Sequence, residues 1–169
     1  MHKYCFCLLL LVSVSLNLKA QTSWYRVKLG DSISVAFPKM PGKGAGRSYG
    51  CKDSTGVVFA ASVSEIAKAI NFDIATFDSV VVEQDFAKDF LEGFKPSMPN
   101  YNFGPVSISD LTGKVSYQIE GKSELDKSKV YFIAIFIDGT AYSFTCVLPD
   151  GKSVMTKNLF FKSIRIGKS

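Results

Sequence analysis

The sequence predicts an α+β domain: a mainly antiparallel sheet with a long mid-chain helix and a short C-terminal helix packed on it. Three observations carry this. The run 130–137 (Val-Tyr-Phe-Ile-Ala-Ile-Phe-Ile) is apolar at every position, as expected of a central strand covered on both faces. Asp138-Gly139 follows at once, a strong signal for a two-residue hairpin. Between about 73 and 94 the apolar period changes from 2 to 3.6, the mark of an amphipathic helix.

The remaining elements follow in chain order. Residues 24–37 read as the first strand region, with Ile33, Val35 and Phe37 alternating with Ser34 and Ala36, a period-2 pattern. Phe37-Pro38-Lys39-Met40-Pro41-Gly42 ends it, because proline cannot donate to a ladder. Gly42, Gly44, Gly46 and Gly50 mark a flexible loop; no Gly-Lys-Ser/Thr opens a helix there, so it is not a phosphate cradle. Asp53-Ser54-Thr55-Gly56 reads as a turn, and 57–63 as a strand with Phe59, Ala61 and Val63 on one face.

The helix over 73–94 gathers Phe77, Val80, Val81, Ala87, Phe90, Leu91 and Phe94 on one arc. Asp73 serves as N-cap and Gly93 with Pro96 as the stop. Val82 and Phe86 fall off that arc. A proline-containing connection over 95–105 leads to a strand at Val106 and Ile108, a bend at 110–113, and a strand through Val115, Tyr117 and Ile119. The return strand at 140–148 places Tyr142, Phe144, Cys146 and Leu148 together. Ser153 caps a short helix to about Phe161, with Met155, Leu159 and Phe160 directed to the core, before Ser163-Ile164-Arg165-Ile166 closes in extended form.

Residues 1–20 carry the zones of an export signal: basic Lys3, an apolar centre from Phe6 to Val14, and small Ala20 at the cleavage position. The apolar run is too short to span a hydrocarbon layer of roughly 30 Å. Cys5 and Cys7 lie at its front edge, where no lipid anchor would be attached. The expected products are a signal peptide (1–20) and a single domain (21–169), periplasmic or extracellular after cleavage near Ala20. The lone histidine, His2, falls inside the signal. Without a histidine the domain supports no Ser-His-Asp or Cys-His chemistry and no His-ligated metal.

The chain is 47% hydrophobic and 21% charged, within the range of folded domains. The net charge of +5 is scattered, with no basic block, which argues against nucleic acid as partner. Weak attraction to an anionic surface stays open. Cys51 and Cys146 are the two cysteines beyond the signal. In an oxidising compartment they form a disulfide if their strands are neighbours; otherwise they are two separate buried thiols.

Candidate chemistry is sparse. Glu83, Asp85, Asp89 and Glu92 read as a solvated helix face, and Glu120, Glu124 and Asp126 as a soluble turn beside Lys122, Lys127 and Lys129. No calcium-loop spacing occurs, and no Gly-x-Ser-x-Gly. Ser153 and Lys157, four apart on the last helix, read as a cap and an exposed lysine rather than a Ser-Lys dyad. No catalytic residue, metal or cofactor is assigned. Trp24, Tyr25, Tyr101 and Phe103 lie outside clear core periodicity. They either cap the ends of the sandwich or form a recognition patch, because aromatics with a polar handle are enriched at interfaces. Such a patch would use the 95–103 connection and the 42–50 loop.

Three features together resemble the PsbP-like/Mog-like fold group, here as a small exported bacterial member. They are the early strand ending in Phe37-Pro38-Lys39-Met40-Pro41, the mid-chain helix followed by a strand meander, and the short C-terminal helix running into Phe160-Phe161-Lys162-Ser163-Ile164-Arg165-Ile166. The resemblance spans most of 24–166 and implies an α/β/α sandwich. Its members include photosystem extrinsic subunits, Ran-binding proteins and envelope proteins that chaperone or adapt partners. It therefore implies partner binding more often than catalysis, and it brings no catalytic motif to this chain. Fold alone does not select among such roles. The expectation is a non-enzymatic envelope or secreted module that binds a protein or envelope component. The alternatives are a carrier of a small apolar ligand between helix and sheet, and a hydrolase working without histidine.

Overall fold

The computed structural model describes residues 24–167; the signal expected at 1–20 lies outside them. Eleven strands are described: β1 Tyr25–Lys28, β2 Ile33–Phe37, β3 Gly42–Lys43, β4 Ser48–Lys52, β5 Val58–Ser64, β6 Tyr101–Phe103, β7 Ser107–Leu111, β8 Lys114–Ser123, β9 Lys129–Ile137, β10 Thr140–Leu148 and β11 Arg165–Ile166. Four α-helices accompany them: α1 Ile66–Ala69, α2 Ile74–Val80, α3 Gln84–Phe94 and α4 Met155–Lys162. A large sheet runs β3-β4-β5-β10-β9-β8-β6, with β7 also on β8, and a small one runs β1-β2-β11. Every pairing is antiparallel.

β9 and β10 form the centre of the large sheet, in register from Thr140↔Ile137 to Leu148↔Lys129. The Asp138-Gly139 turn that joins them has φ of 48° and 73°, the doubly positive geometry of a type I′ hairpin. A Cβ at Gly139 would also stand 2.8 Å from that of Ala67. Gly121 has a different reason: a Cβ there would come within 2.8 Å of Phe103.

Side-chain alternation along β9 feeds two separate cores. Ile135 and Ile137 join Phe59, Phe144, Cys146 and Leu148 on one face, closed by Val35 and Phe37 of β2 and by Phe160 of α4. Phe132, Ala134 and Phe136 join Tyr117 and Ile119 on the other, closed by Phe77, Val81, Ala87 and Leu91 of the helical layer. The large sheet is therefore sandwiched between a layer of small sheet plus α4 and a layer of α1–α3. The predicted α+β class and mainly antiparallel sheet are present.

Two local expectations are corrected. The helix expected over 73–94 is two helices. Asp73 does cap the first, accepting the Thr76 amide at 2.7 Å. After Val81 the chain turns, and Glu83 is extended (φ −81°, ψ 138°) as the N-cap of α3. The β-branched run Val80-Val81-Val82 weakens the helix there. Tyr117 then holds the break, its hydroxyl donating to the Val81 carbonyl at 2.5 Å. The break explains both residues that fell off the arc. Val82 is exposed, and Phe86 is turned edge-on to Phe77 at 5.7 Å.

The second correction concerns α4. Its N-terminus is assisted by Ser153, whose Oγ accepts the Met155 amide at 3.2 Å. Only Phe160 is buried, between Phe37 (5.4 Å) and Phe59 (5.1 Å). Met155 and Leu159 are 65% and 47% exposed. One wedge ring fills the space that three side chains were expected to share.

Candidate functional site: a groove beside α3

The helical layer covers its face of the sheet only in part. Phe90 stacks on Tyr117, Phe132 and Phe136 at 5.4–6.1 Å. Phe94 sits 4.3 Å from Phe132 and 5.4 Å from Phe103. These rings fill the space between α3 and β8–β9. Beside the helix, over β5 and β10, lies an open groove of about 590 Å³. Phe86, Phe90, Gly93 and Phe94 form one wall, with Ile66 and Ile70 at the α1 end. Its floor is the outward alternation of two paired strands: Ser62 opposite Ser143, Ser64 opposite Ala141, and Thr145.

Small floor residues let a partner backbone or chain come close to the sheet, while the aromatic wall supplies apolar contact. The one ionisable side chain in the lining is Asp89. No paired acid and base, and no nucleophile beside a base, stands in the groove. No group of three metal-ligating side chains occurs among the described residues. Nor does any buried side-chain nitrogen or oxygen there lack a partner. A second depression, about 680 Å³ at the β9–β10 turn, is lined mainly by polar residues such as Glu65, Lys68, Asn71, Asp73 and Asp138. It offers less apolar wall than the groove.

The predicted aromatics separate into two pairs on opposite faces of the large sheet. Trp24 packs on the first core, 6.3 Å and edge-on to Phe59, and Tyr25 beside it is 51% exposed. Tyr101 and Phe103 sit on β6, 6.3 Å apart, and Phe103 packs on the second core. The Tyr101 hydroxyl pairs with Ser128 Oγ at 2.7 Å. The 42–50 loop and the 95–103 connection flank opposite ends of the large sheet's strand order, so they do not form one surface.

Cys51 and Cys146 are both free, and both lie opposite Phe59, on the two strands flanking β5. Two interstrand spacings are about 10 Å, beyond the Cα separation a disulfide spans. Burial pushes the Cys146 thiol up to about 12 and raises that of Cys51 as well. Lys157 lies 4.0 Å over the Tyr131 ring, while Ser153 Oγ serves the α4 N-terminus, so the two do not form a dyad. Of the helix carboxylates, Asp85 pairs with Lys88 and Glu92 with Lys95. Glu124 pairs with Lys127 at the β8–β9 turn.

Sequence reasoning missed the groove residues. Ser62, Ser143 and Thr145 alternate with buried neighbours and read as an ordinary solvated strand face. The only signal was Phe86, which falls off the arc that holds Phe90 and Phe94; all three rings pack on the second core and leave one side to the groove.

No protein-family model and no curated protein matches the sequence. Among solved structures, cyanobacterial PsbP from Synechocystis sp. PCC 6803 superposes with a TM-score of 0.60 at 14% identity, covering 88% of this chain and 95% of that one. The chain has a PsbP-like fold. A Bacteroides thetaiotaomicron protein aligns with a TM-score of 0.37 at 9% identity, over 86% of this chain and 42% of that one; at that score it carries no structural argument. The PsbP-like fold accounts for the layer order described above. At 14% identity it assigns no residue a role. No helix among the described residues is long and apolar enough to cross a membrane.

Proposed function

We propose that this PsbP-like chain is an exported, non-catalytic module that binds an apolar segment of another protein in the groove beside α3. The groove itself supports this reading: an aromatic wall of Phe86, Phe90 and Phe94 stands open over a floor of Ser62, Ser143 and Thr145. Its length along the helix suits an extended or helical peptide segment. The filled space beneath α3 favours this reading over carriage of a small ligand between helix and sheet. The engagement of Ser153 and Lys157 elsewhere favours it over hydrolysis.

The test is a photoreactive side chain introduced at Ser143 in producing cells. The expected result is one discrete cross-linked protein, contacted through an apolar segment, and loss of that product by at least tenfold on adding Gly93→Trp to fill the groove. Absence of any cross-linked product at Ser143, or a product indifferent to the filled groove, would overturn the proposal. A small extra mass in the native mass spectrum would instead promote the carrier.

A further inference from the structure

The two outer layers carry opposite charge. In the helical layer, 66–94, the six carboxylates Asp73, Asp78, Glu83, Asp85, Asp89 and Glu92 stand with two cations, Lys68 and Lys88, and Lys95 just beyond pairs with Glu92. In the opposite layer, the stretches 24–30 and 151–167 hold Arg26, Lys28, Lys152, Lys157, Lys162 and Arg165 and no carboxylate side chain. Asp31 in the β1–β2 turn and Asp150 before α4 are the nearest acidic side chains in sequence.

Lys157 turns inward over the Tyr131 ring; Arg26, Lys28 and Arg165 are gathered on one outer surface. Lys28 and Arg165 both lie opposite Ser34, on the two strands flanking β2, so they share its outward face, and Arg26 joins them two residues along β1. Arg26 reaches from that face to the C-terminus of α4, donating to Ser34 Oγ at 3.1 Å and to the Ser163 carbonyl at 3.0 Å. The sheet face and the helix end therefore adjoin. Ion pairs among the described residues involve Arg47, Lys68, Lys88, Lys95 and Lys127, not these cations. Burial, and secondarily the neighbouring Arg165 charge, push Arg26 below the usual guanidinium range.

On the same layer α4 turns an apolar stripe outward. Met155 and Leu159 are one turn apart and exposed, and Val154 beside them is 47% exposed. Exposed Lys152 and Lys162 bracket the stripe. Apolar side chains standing proud among unpaired cations suit a surface that is anionic outside and apolar just beneath. A soluble polyanion would use the cations and leave Met155 and Leu159 without a role.

We propose that the layer of β1, β2, β11 and α4 docks on an anionic phospholipid surface, with Met155 and Leu159 entering the headgroup region. Docked this way, the molecule turns the groove beside α3 away from the lipid.

The test is co-sedimentation of the secreted protein, its N-terminus first defined by mass, with equimolar phosphatidylglycerol/phosphatidylcholine vesicles and with phosphatidylcholine vesicles. Binding is expected on the first only, weakening as salt rises. Each cation near such a surface is worth about fivefold in partitioning. The triple variant Lys28→Gln, Lys162→Gln, Arg165→Gln should therefore bind about a hundredfold less. The pair Met155→Ser, Leu159→Ser should lose about tenfold with the salt dependence kept. Asp78→Asn with Asp85→Asn, on the far layer and outside the groove, should change nothing. All these positions are exposed, and circular dichroism checks that each variant is folded. Equal binding to both vesicle types, or no loss in the triple variant, overturns the proposal. So does loss in the triple variant alone, with heparin competing fully: that outcome would identify a site for soluble polyanions.

Discussion

The two faces of the large sheet are built from the same strands yet finished differently. One is sealed: Phe160 is wedged between Phe37 and Phe59, and β2 lies across Phe144 and Ile135. The other is sealed only over β8 and β9, leaving β5 and β10 under an open groove. On the sealed face large side chains alternate inward from β5, β9 and β10. On the open face the same strands, β5 and β10, present Ser62, Ser143 and Thr145. A single pair of strands thus specifies packing on one side and accessibility on the other, because alternation makes the two sides independent.

That contrast is broken most strongly at the wedge. Phe160→Ala removes a fully buried ring and should cost about 3–5 kcal/mol, read as a loss of roughly 10 °C or more in Tm. Phe90→Ala, on the half-covered face, should cost clearly less, about 2 kcal/mol, because part of that ring already meets solvent. Equal losses in the two variants would mean that the faces do not differ as described.

The next effect is smaller and sits at the helix break. Tyr117→Phe leaves the buried Val81 carbonyl without its donor and should cost about 1–2 kcal/mol in denaturant unfolding at pH 7. Burial holds the Tyr117 hydroxyl well above the usual phenol range, and the Cys146 thiol up to about 12. For both groups the folded value is raised. Their contribution is intact below the unfolded values, near pH 9–10, and is lost as pH climbs toward the folded ones. Stability should therefore decline from about pH 9 upward, and Cys146→Ala should flatten the part between 9 and 11. A slope unchanged in that variant would place the alkaline sensitivity elsewhere.

The smallest effect is expected at Val82. It is exposed within the break and caps nothing, so Val82→Ala should stay within about 0.5 kcal/mol. A large loss would mean that Val82 is buried against another element and not exposed.

How much of this was legible in the sequence depended on whether the cause was local. The all-apolar run 130–137 and Asp138-Gly139 specify β9, its turn and β10 without outside help. The Asp73 cap is equally local. The break after Val81 was not, because its lock is Tyr117, 36 residues away in sequence. The outward turn of Met155 and Leu159 was not either. A helical wheel shows four apolar residues on α4 but not how much core is left for them once Phe37 and Phe59 are in place. The separation of Cys51 from Cys146 needed the strand order. The groove needed the position of α3 over β9, which nothing within β5 or β10 encodes.

The ends of the large sheet carry one further consequence. At one margin β3 is two residues long and preceded by Pro41. At the other, β6 and β7 follow one another along β8, interrupted by Gly104 and Pro105. Neither margin offers a long row of unpaired amides, so neither can template an added strand from another molecule. This protects the fold against edge-to-edge aggregation. It also leaves the flat faces, and not the rims, as the surfaces through which neighbours can be met.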